Sequence, residues 1–321
     1  MNSKPRLTVV VVCFRMPSQM RNTILSLSPD YQQGVDKEDY EVIVLENSSD
    51  QQLSRAEVDA LPGNFRYVLR QETSQSPAAA INEGLQLSRG DFIGLMIDGA
   101  YLLTPGVLRY ALLAWQSSDE AFVTVPTYHL GPGDQSLTCL QGYDLSVQQG
   151  MLDSISWPQN GYRLFEIGSI CGANPNGFFA SILESNCYFS SRQSFDYVGG
   201  ADESFQQPGG GSINLDMTLK LGSRPGSVFF SLGGEGVFHQ YHGGITTSAG
   251  RGDYVEKFND ELHANWDNNF HYFARNPIVL GSFSEYAHDV LQQSSELMQR
   301  RINNCRKNEW PVWEDQQGHD I

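Results

Sequence analysis

The chain is expected to be an α/β protein: a Rossmann-like, mostly parallel sheet flanked by helices, with a helical extension at the C-terminus. Three features carry that expectation. Short runs rich in Val, Ile and Leu alternate with stretches of helical spacing through the N-terminal third, the pattern of strands joined by crossover helices. The runs are apolar at consecutive rather than alternate positions, which suits strands buried on both faces. They end in turn formers and acids, at the carboxyl ends of strands, where open α/β sheets bind ligands.

Leu7 to Phe14 reads as the first strand, rich in β-branched valine. Pro17-Ser18 opens a helix carrying Met20, Ile24 and Leu27. Tyr40 to Leu45 is a second strand, closed by the turn formers Glu46-Asn47-Ser48-Ser49-Asp50. A polar helix over Ser54 to Leu61 precedes a third strand, Phe65 to Leu69, and Ser76-Pro77 starts a helix with Ile81 and Leu85 on its apolar side. Phe92 to Ile97, inside GDFIGLMIDGAYLLTPG, is the next buried strand, and Asp98 stands at its carboxyl end. An acid there is a candidate ligand for a sugar hydroxyl or a metal; its plain alternative is to end the strand and help a turn. Thr104-Pro105 reads as an N-cap with proline at the first helical position, opening a helix toward Gln116.

After Gly131 the alternation fades into Gly, Pro, aromatic and polar residues, the texture of loops that carry binding sites on a rigid sheet. Gly199 to Gly211, GGADESFQQPGGG, is a mobile or tightly turning loop, followed by a helix over Asn214 to Leu221. Phe229 to His242 begins as a strand and ends in His239-Gln240-Tyr241-His242. From Gly250 onward the chain reads as helices with a charged, glutamine-rich tail.

Composition narrows the function classes. The 321 residues carry a net charge of -16 with Lys and Arg scattered, which argues against a nucleic-acid partner. Five cysteines without a CxxC pair favour reduced thiols in a cytoplasmic protein over a disulfide framework or a zinc site. No segment is long and apolar enough for a membrane span, although peripheral membrane contact stays open. The first strand–helix turn lacks GxGxxG and no GK[ST] occurs, so a nucleotide has to be held by side chains at strand ends.

Taken together, these segments resemble the family 2 glycosyltransferases, enzymes of the GT-A fold. VVVVCFRMPSQMRNTILSLS is similar to that family's opening, with Cys13-Phe14-Arg15 where a Tyr-Asn pair is frequent. YEVIVLENSSD resembles the second-strand motif ending in Asp-Asp or Asp-Asn, with Glu46 in place of the first acid and Asn47 matching. SPAAAINEGLQLSRGDFIGLMIDGA resembles the stretch with Asn-x-Gly, here at Asn82, followed by Asp-x-Asp, here Asp98-Gly99-Ala100. VGGADESF resembles the acceptor-side Gly-Gly-Phe-Asp-Glu, and WPQNGYRLFEI, LESN, PGGG before NLD, and FHQYHGGITT look like a bacterial subgroup. The resemblance spans residues 7 to 245, and several motifs in order are far harder to meet by chance than one. It implies a nucleotide-sugar-binding half over 1–130, an acceptor-binding half over 131–250 and a helical extension over 251–321.

The implied activity is transfer of a sugar from a nucleotide-diphosphate sugar to a saccharide, lipid-linked or other hydroxyl acceptor, in surface polysaccharide or glycan biosynthesis. Phe14, Glu46, Asn47, Asn82, Asp98 and Gly99 are the implied donor-binding residues, with Glu46 accepting from the base edge. Its plain alternative is to cap the turn into Asn47-Ser48. Ala100 removes the usual second carboxylate, so a divalent metal, Mn²⁺ or Mg²⁺, would depend on Asp98 with His242 and His239. Asn214 occupies the usual base position; Asp216 is the first candidate base, with Asp202 and Glu184 behind it. Asp202 and Glu203 read equally as a solvated turn, and Trp157, Tyr162 and Phe165 as core rather than a sugar-stacking platform. The missing acids also permit a non-catalytic nucleotide-sugar or sugar-binding protein on the same fold. A nucleotidyltransferase is less well supported, since no glycine-rich basic loop follows the first strand.

Overall fold

The computed structural model describes residues 4–72, 76–180, 182, 184–244, 251–273 and 275–309. Twelve strands are present among them: β1 Leu7–Cys13, β2 Tyr40–Asn47, β3 Phe65–Arg70, β4 Phe92–Met96, β5 Tyr101–Leu103, β6 Ala121–Thr124, β7 Thr127–Leu130, β8 Gly168–Ile170, β9 Cys187–Ser191, β10 Val228–Gly233, β11 Val237–His239 and β12 Ile278–Gly281. Eight form one sheet in the order β12-β10-β6-β9-β4-β1-β2-β3. Every pairing in it is parallel except those of β9, which runs antiparallel between β4 and β6. This is the mostly parallel, helix-flanked sheet expected from the sequence.

The unbroken apolar runs have a simple cause. In β1, Leu7, Val9, Val11 and Cys13 face one cluster with Met20 of helix Pro17–Ser26 and Leu108 and Ala111 of helix Val107–Ser117. Val10 and Val12 face the other cluster, with Ile81 of helix Ala78–Leu87 and Met217 of helix Gly211–Ser223. Successive side chains of a strand point to opposite faces, so a strand covered on both sides is apolar throughout.

The irregular stretch after Gly131 supplies β8 and β11 to a second sheet, β5-β11-β7-β8. Its core is aromatic: Tyr128 stacks on Phe238 with ring centroids 5.1 Å apart, and Phe165 meets Phe238 edge-on at 5.2 Å. Helix His288–Asn308 covers this cluster through Val290, while β12 adds an edge strand to the large sheet. The C-terminal extension is thus helical with one strand. No helix among the described residues is long and apolar enough to cross a membrane.

Two details depart from expectation. Helix Val107–Ser117 starts with Gly106 at its N-cap rather than Thr104, because the buried Glu235 carboxylate accepts from Gly106 N at 3.1 Å and from Thr104 Oγ1. The helix over Ser54 to Leu61 is shorter, Arg55–Asp59, held by a capping box between Ser54 and Glu57.

Candidate active site

The chain runs outward from β1 to β2 and β3, then returns to place β4 on the other side of β1. Such a reversal opens a crevice at the carboxyl ends of the two central strands. A cleft of about 430 Å³ lies there, lined by Phe14 and Arg15 after β1, Asn47 at the end of β2, Asp98 after β4, and His242. A second cleft of about 310 Å³ is lined by Tyr101, His129, Glu184, Asn186, Asn214 and His239. Asp98 and Gly209 line both, so the two clefts meet beside one carboxylate.

Asp98 is held in place by its own turn, its Oδ1 accepting from Ala100 N at 2.9 Å. Gly99 is needed where the chain folds back on helix Pro17–Ser26. A Cβ there would stand 2.4 Å from Met20 Sδ and 2.7 Å from Cys13 Cβ, and its carbonyl accepts from Thr23 Oγ1 at 2.6 Å. Gly99 therefore serves packing rather than lining either cleft. Ala100 is fully buried in the core cluster, so this turn aims its third residue away from the crevice.

The free oxygen of Asp98 faces two imidazoles. Oδ2 lies 3.6 Å from His239 Nε2 and 3.4 Å from His242 Nε2, and the two nitrogens are 3.2 Å apart. The hydrogen bonds around Gln135 assign the tautomer of His239. Gln135 Nε2 donates to the carbonyls of Leu130 and His239 at 3.0 and 2.9 Å, so its Oε1 must accept from His239 Nδ1 at 2.6 Å. A neutral His239 then turns the Nε2 lone pair toward Asp98 and His242.

Electrostatics follow from this geometry. Burial favours the neutral acid at Asp98, but the charge on the adjacent His242 outweighs it and holds the carboxyl far below its usual range. Burial depresses His239, while at His242 the adjacent Asp98 charge outweighs burial and raises the imidazole. The cluster is anchored from behind: Gln240 N donates to the Ala100 carbonyl at 2.7 Å, and Gln19 Nε2 to the Tyr241 carbonyl at 2.8 Å.

In the second cleft, Asn214 Nδ2 donates to Glu184 Oε1 at 3.0 Å and to Asn186 Oδ1. Asn186 Nδ2 donates to Tyr101 OH at 2.8 Å, and the Tyr101 ring packs edge-on against His239 with centroids 5.0 Å apart. Glu184 is half-buried at the end of this polar chain. Its neighbour in the LESN motif, Leu183, and Ile245 to Thr247 of FHQYHGGITT lie outside the described residues.

Several expected site residues stand elsewhere. Glu46 is fully buried; its Oε2 accepts from Leu53 N at 3.1 Å and Tyr67 OH at 2.7 Å, closing the turn rather than facing the cleft. Asn82 pins the GGADES loop, accepting from Ala201 N at 2.8 Å and donating to Ala201 O and Glu203 Oε1 at 2.9 Å each. Asp216 is 1% exposed and bound to Lys220 Nζ at 2.8 Å and Trp266 Nε1 at 2.9 Å. Two residues along a helix turn through about 200°, so when Asn214 faces the cleft Asp216 faces the opposite side. Asp202 accepts from Ser204 N at 2.9 Å, the solvated turn that was its plain alternative. Trp157, Tyr162 and Phe165 pack in or against the second core, and Trp157 Nε1 contacts Tyr31 OH at 3.4 Å. Gly209, with φ 78°, makes the PGGG segment a tight turn.

Gln135, Asn186 and Tyr101 were not visible as site residues in the sequence. Each acts through a partner far along the chain, and no local spacing signals such a pairing.

No curated protein sequence matches the chain. Among solved structures, crystal structures of S. aureus TarS, of TarS 1–349 and of TarS 1–349 in complex with UDP are similar at 14% identity and TM-score 0.44 over 67% of this chain. The similar part spans 34%, 56% and 55% of those chains, respectively. Residues 8–146, which supply β2 to β7, nearly all of β1, Asp98 and Gln135 but neither Glu184 nor the two histidines, match the family described as Glycosyl transferase family 2.

Proposed function

We propose that this protein is a glycosyltransferase that moves a sugar from a nucleotide-diphosphate sugar in the first cleft to a hydroxyl of a saccharide or lipid-linked acceptor in the second. The observation that carries the reading is the meeting of the two clefts at Asp98, with His239 and His242 gathered on that carboxylate. The family match over residues 8–146 supports it. A donor anchored at the strand ends would present its anomeric carbon where the clefts join, close to an acceptor held on the other side.

The Asp98, His239 and His242 donor set fits a divalent cation. Its three ligand atoms lie 3.2 to 3.6 Å from one another, close enough for a single ion to touch all three. Imidazole ligands favour Mn²⁺ over Mg²⁺. When bound, such an ion would supply positive charge against the diphosphate leaving group.

The chain's own groups account for the remaining steps. Glu184, which accepts from Asn214, would take the acceptor proton. Asn186 and Tyr101 offer neutral hydrogen-bonding groups to the acceptor's other hydroxyls. A place in surface polysaccharide or glycan biosynthesis, in the cytoplasm, belongs to the same reading.

The test is a panel of nucleoside diphosphates and their sugars, scored by thermal stabilisation and then by donor hydrolysis in Mn²⁺. Stabilisation with slow hydrolysis of one donor is expected. Binding without hydrolysis or transfer would instead establish a non-catalytic binder, and no binding would remove the donor site.

A further inference from the structure

Arg15 follows strand β1 and lines the first cleft. Its backbone is left-handed, with φ 57°, a conformation disfavoured for a long side chain. Four other described non-glycine residues share a positive φ, and their settings are ordinary. Ser156 precedes Trp157-Pro158, Asp267 and Asn268 follow helix Arg251–Asn265, and Glu309 closes helix His288–Asn308. Arg15 alone of the five lines a cleft. A residue kept in a disfavoured conformation at a cleft wall is a recurrent mark of a ligand clamp.

Arg15 is also the one Lys or Arg among the described residues lining either cleft. Its guanidinium meets the Asp50 carboxylate, with Nη2 3.0 Å from Oδ1 and 3.1 Å from Oδ2. Both side chains are well exposed, at 48% and 70%, so the pair is screened and readily exchanged. A carboxylate and a phosphate present similar paired oxygens to a guanidinium. Gln51, next to Asp50, lines the first cleft as well, which puts this ion pair at the cleft wall.

We infer that Arg15 clamps the diphosphate of the bound nucleotide and that Asp50 competes for the same guanidinium, the pair setting how strongly the cleft prefers a nucleoside diphosphate to a nucleoside. The inference rests on the donor-site reading. It puts a positive charge after strand β1 in the cleft that Asp98 and His242 also line.

The experiment is calorimetric titration of the full chain with UDP, GDP, uridine and guanosine in saturating Mn²⁺, for wild type, Arg15→Gly, Arg15→Lys and Asp50→Asn. Glycine suits the left-handed backbone, so Arg15→Gly removes the side chain without straining the turn, and thermal unfolding checks the fold. Loss of a charge-assisted contact should weaken diphosphate binding by about tenfold or more and leave nucleoside binding within about twofold. Arg15→Lys should fall between, and Asp50→Asn should tighten diphosphate binding alone. Equal losses for diphosphate and nucleoside in Arg15→Gly, or no loss in either, would overturn the clamp. Weaker diphosphate binding in Asp50→Asn would overturn the competition. Wild type that binds none of the four would fail the donor-site reading itself, and the clamp with it.

Discussion

His239 Nδ1 donates to Gln135 Oε1 over 2.6 Å, and that one hydrogen bond turns the Nε2 lone pair of His239 onto Asp98 and His242. The amide cannot flip, because its nitrogen already serves two backbone carbonyls. A partner of this kind orients a metal-ligating histidine and raises its basicity.

Gln135→Leu should therefore weaken Mn²⁺ binding by about 10- to 100-fold although position 135 touches no ion. His239→Ala and His242→Ala should abolish the Mn²⁺ response. Titration calorimetry with Mn²⁺ alone, followed by activity after chelation and readdition, checks both. Full wild-type activity in chelator would show that no metal is needed, leaving His242 at most a direct phosphate contact.

The base assignment separates two acids. Glu184→Gln should lower kcat by about 10²-fold with donor affinity nearly unchanged. Asp216→Asn should leave kcat within a few-fold and instead lower stability by about 2 kcal/mol, since Lys220 loses its partner at a buried site. Steady-state kinetics beside urea unfolding of the two variants distinguishes them. Loss of kcat in Asp216→Asn with stability intact would reverse the assignment.

Asp98 and Glu46 make a second contrast. Asp98→Asn should weaken donor binding or turnover by about tenfold or more, the loss of one charged contact. Glu46→Gln should leave nucleotide affinity unchanged, because the carboxylate faces Leu53 and Tyr67 away from the cleft. Nucleotide titrations of both variants supply the measurement.

Glu235 gives a pH prediction. Burial, only partly offset by hydrogen bonds from Thr104, Tyr162 and Gly106 N, raises its pKa from 4.5 to about 7. Between those values the folded state holds a proton that the unfolded chain has lost. This contribution to stability is full below pH 4.5, falls as pH rises toward 7 and is gone above. The span is about 3 kcal/mol. Glu235→Gln should flatten that part of the stability–pH profile relative to wild type and gain most near pH 8. Parallel urea titrations from pH 5 to 8 test it, and profiles of equal slope would contradict the burial argument.

How much of this was legible in the sequence depends on how local each cause is. The valines of β1, the apolar run of β4 and the proline at the start of helix Pro17–Ser26 act within a few residues, so strand, helix and parallel-sheet character were readable. The place of Asp98 at the end of β4, beside the crevice, was readable for the same reason, since it follows from the apolar run before it. His239 and His242 were readable as a pair, but not the assembly they make. That needs β11 beside β5, which carries His239 to Tyr101 and the turn after Asp98 to Gln240. Strand pairing over such a separation is set by the whole fold and leaves no mark in spacing. Direction was the other hidden quantity. Glu46, Asn82 and Asp216 are polar residues near the right elements, yet each is held by a partner other than the clefts: Tyr67, Ala201 and Lys220. A sequence names the side chain and its element. Only the tertiary packing decides which way it turns, because a buried polar group goes where its hydrogen bonds can be satisfied.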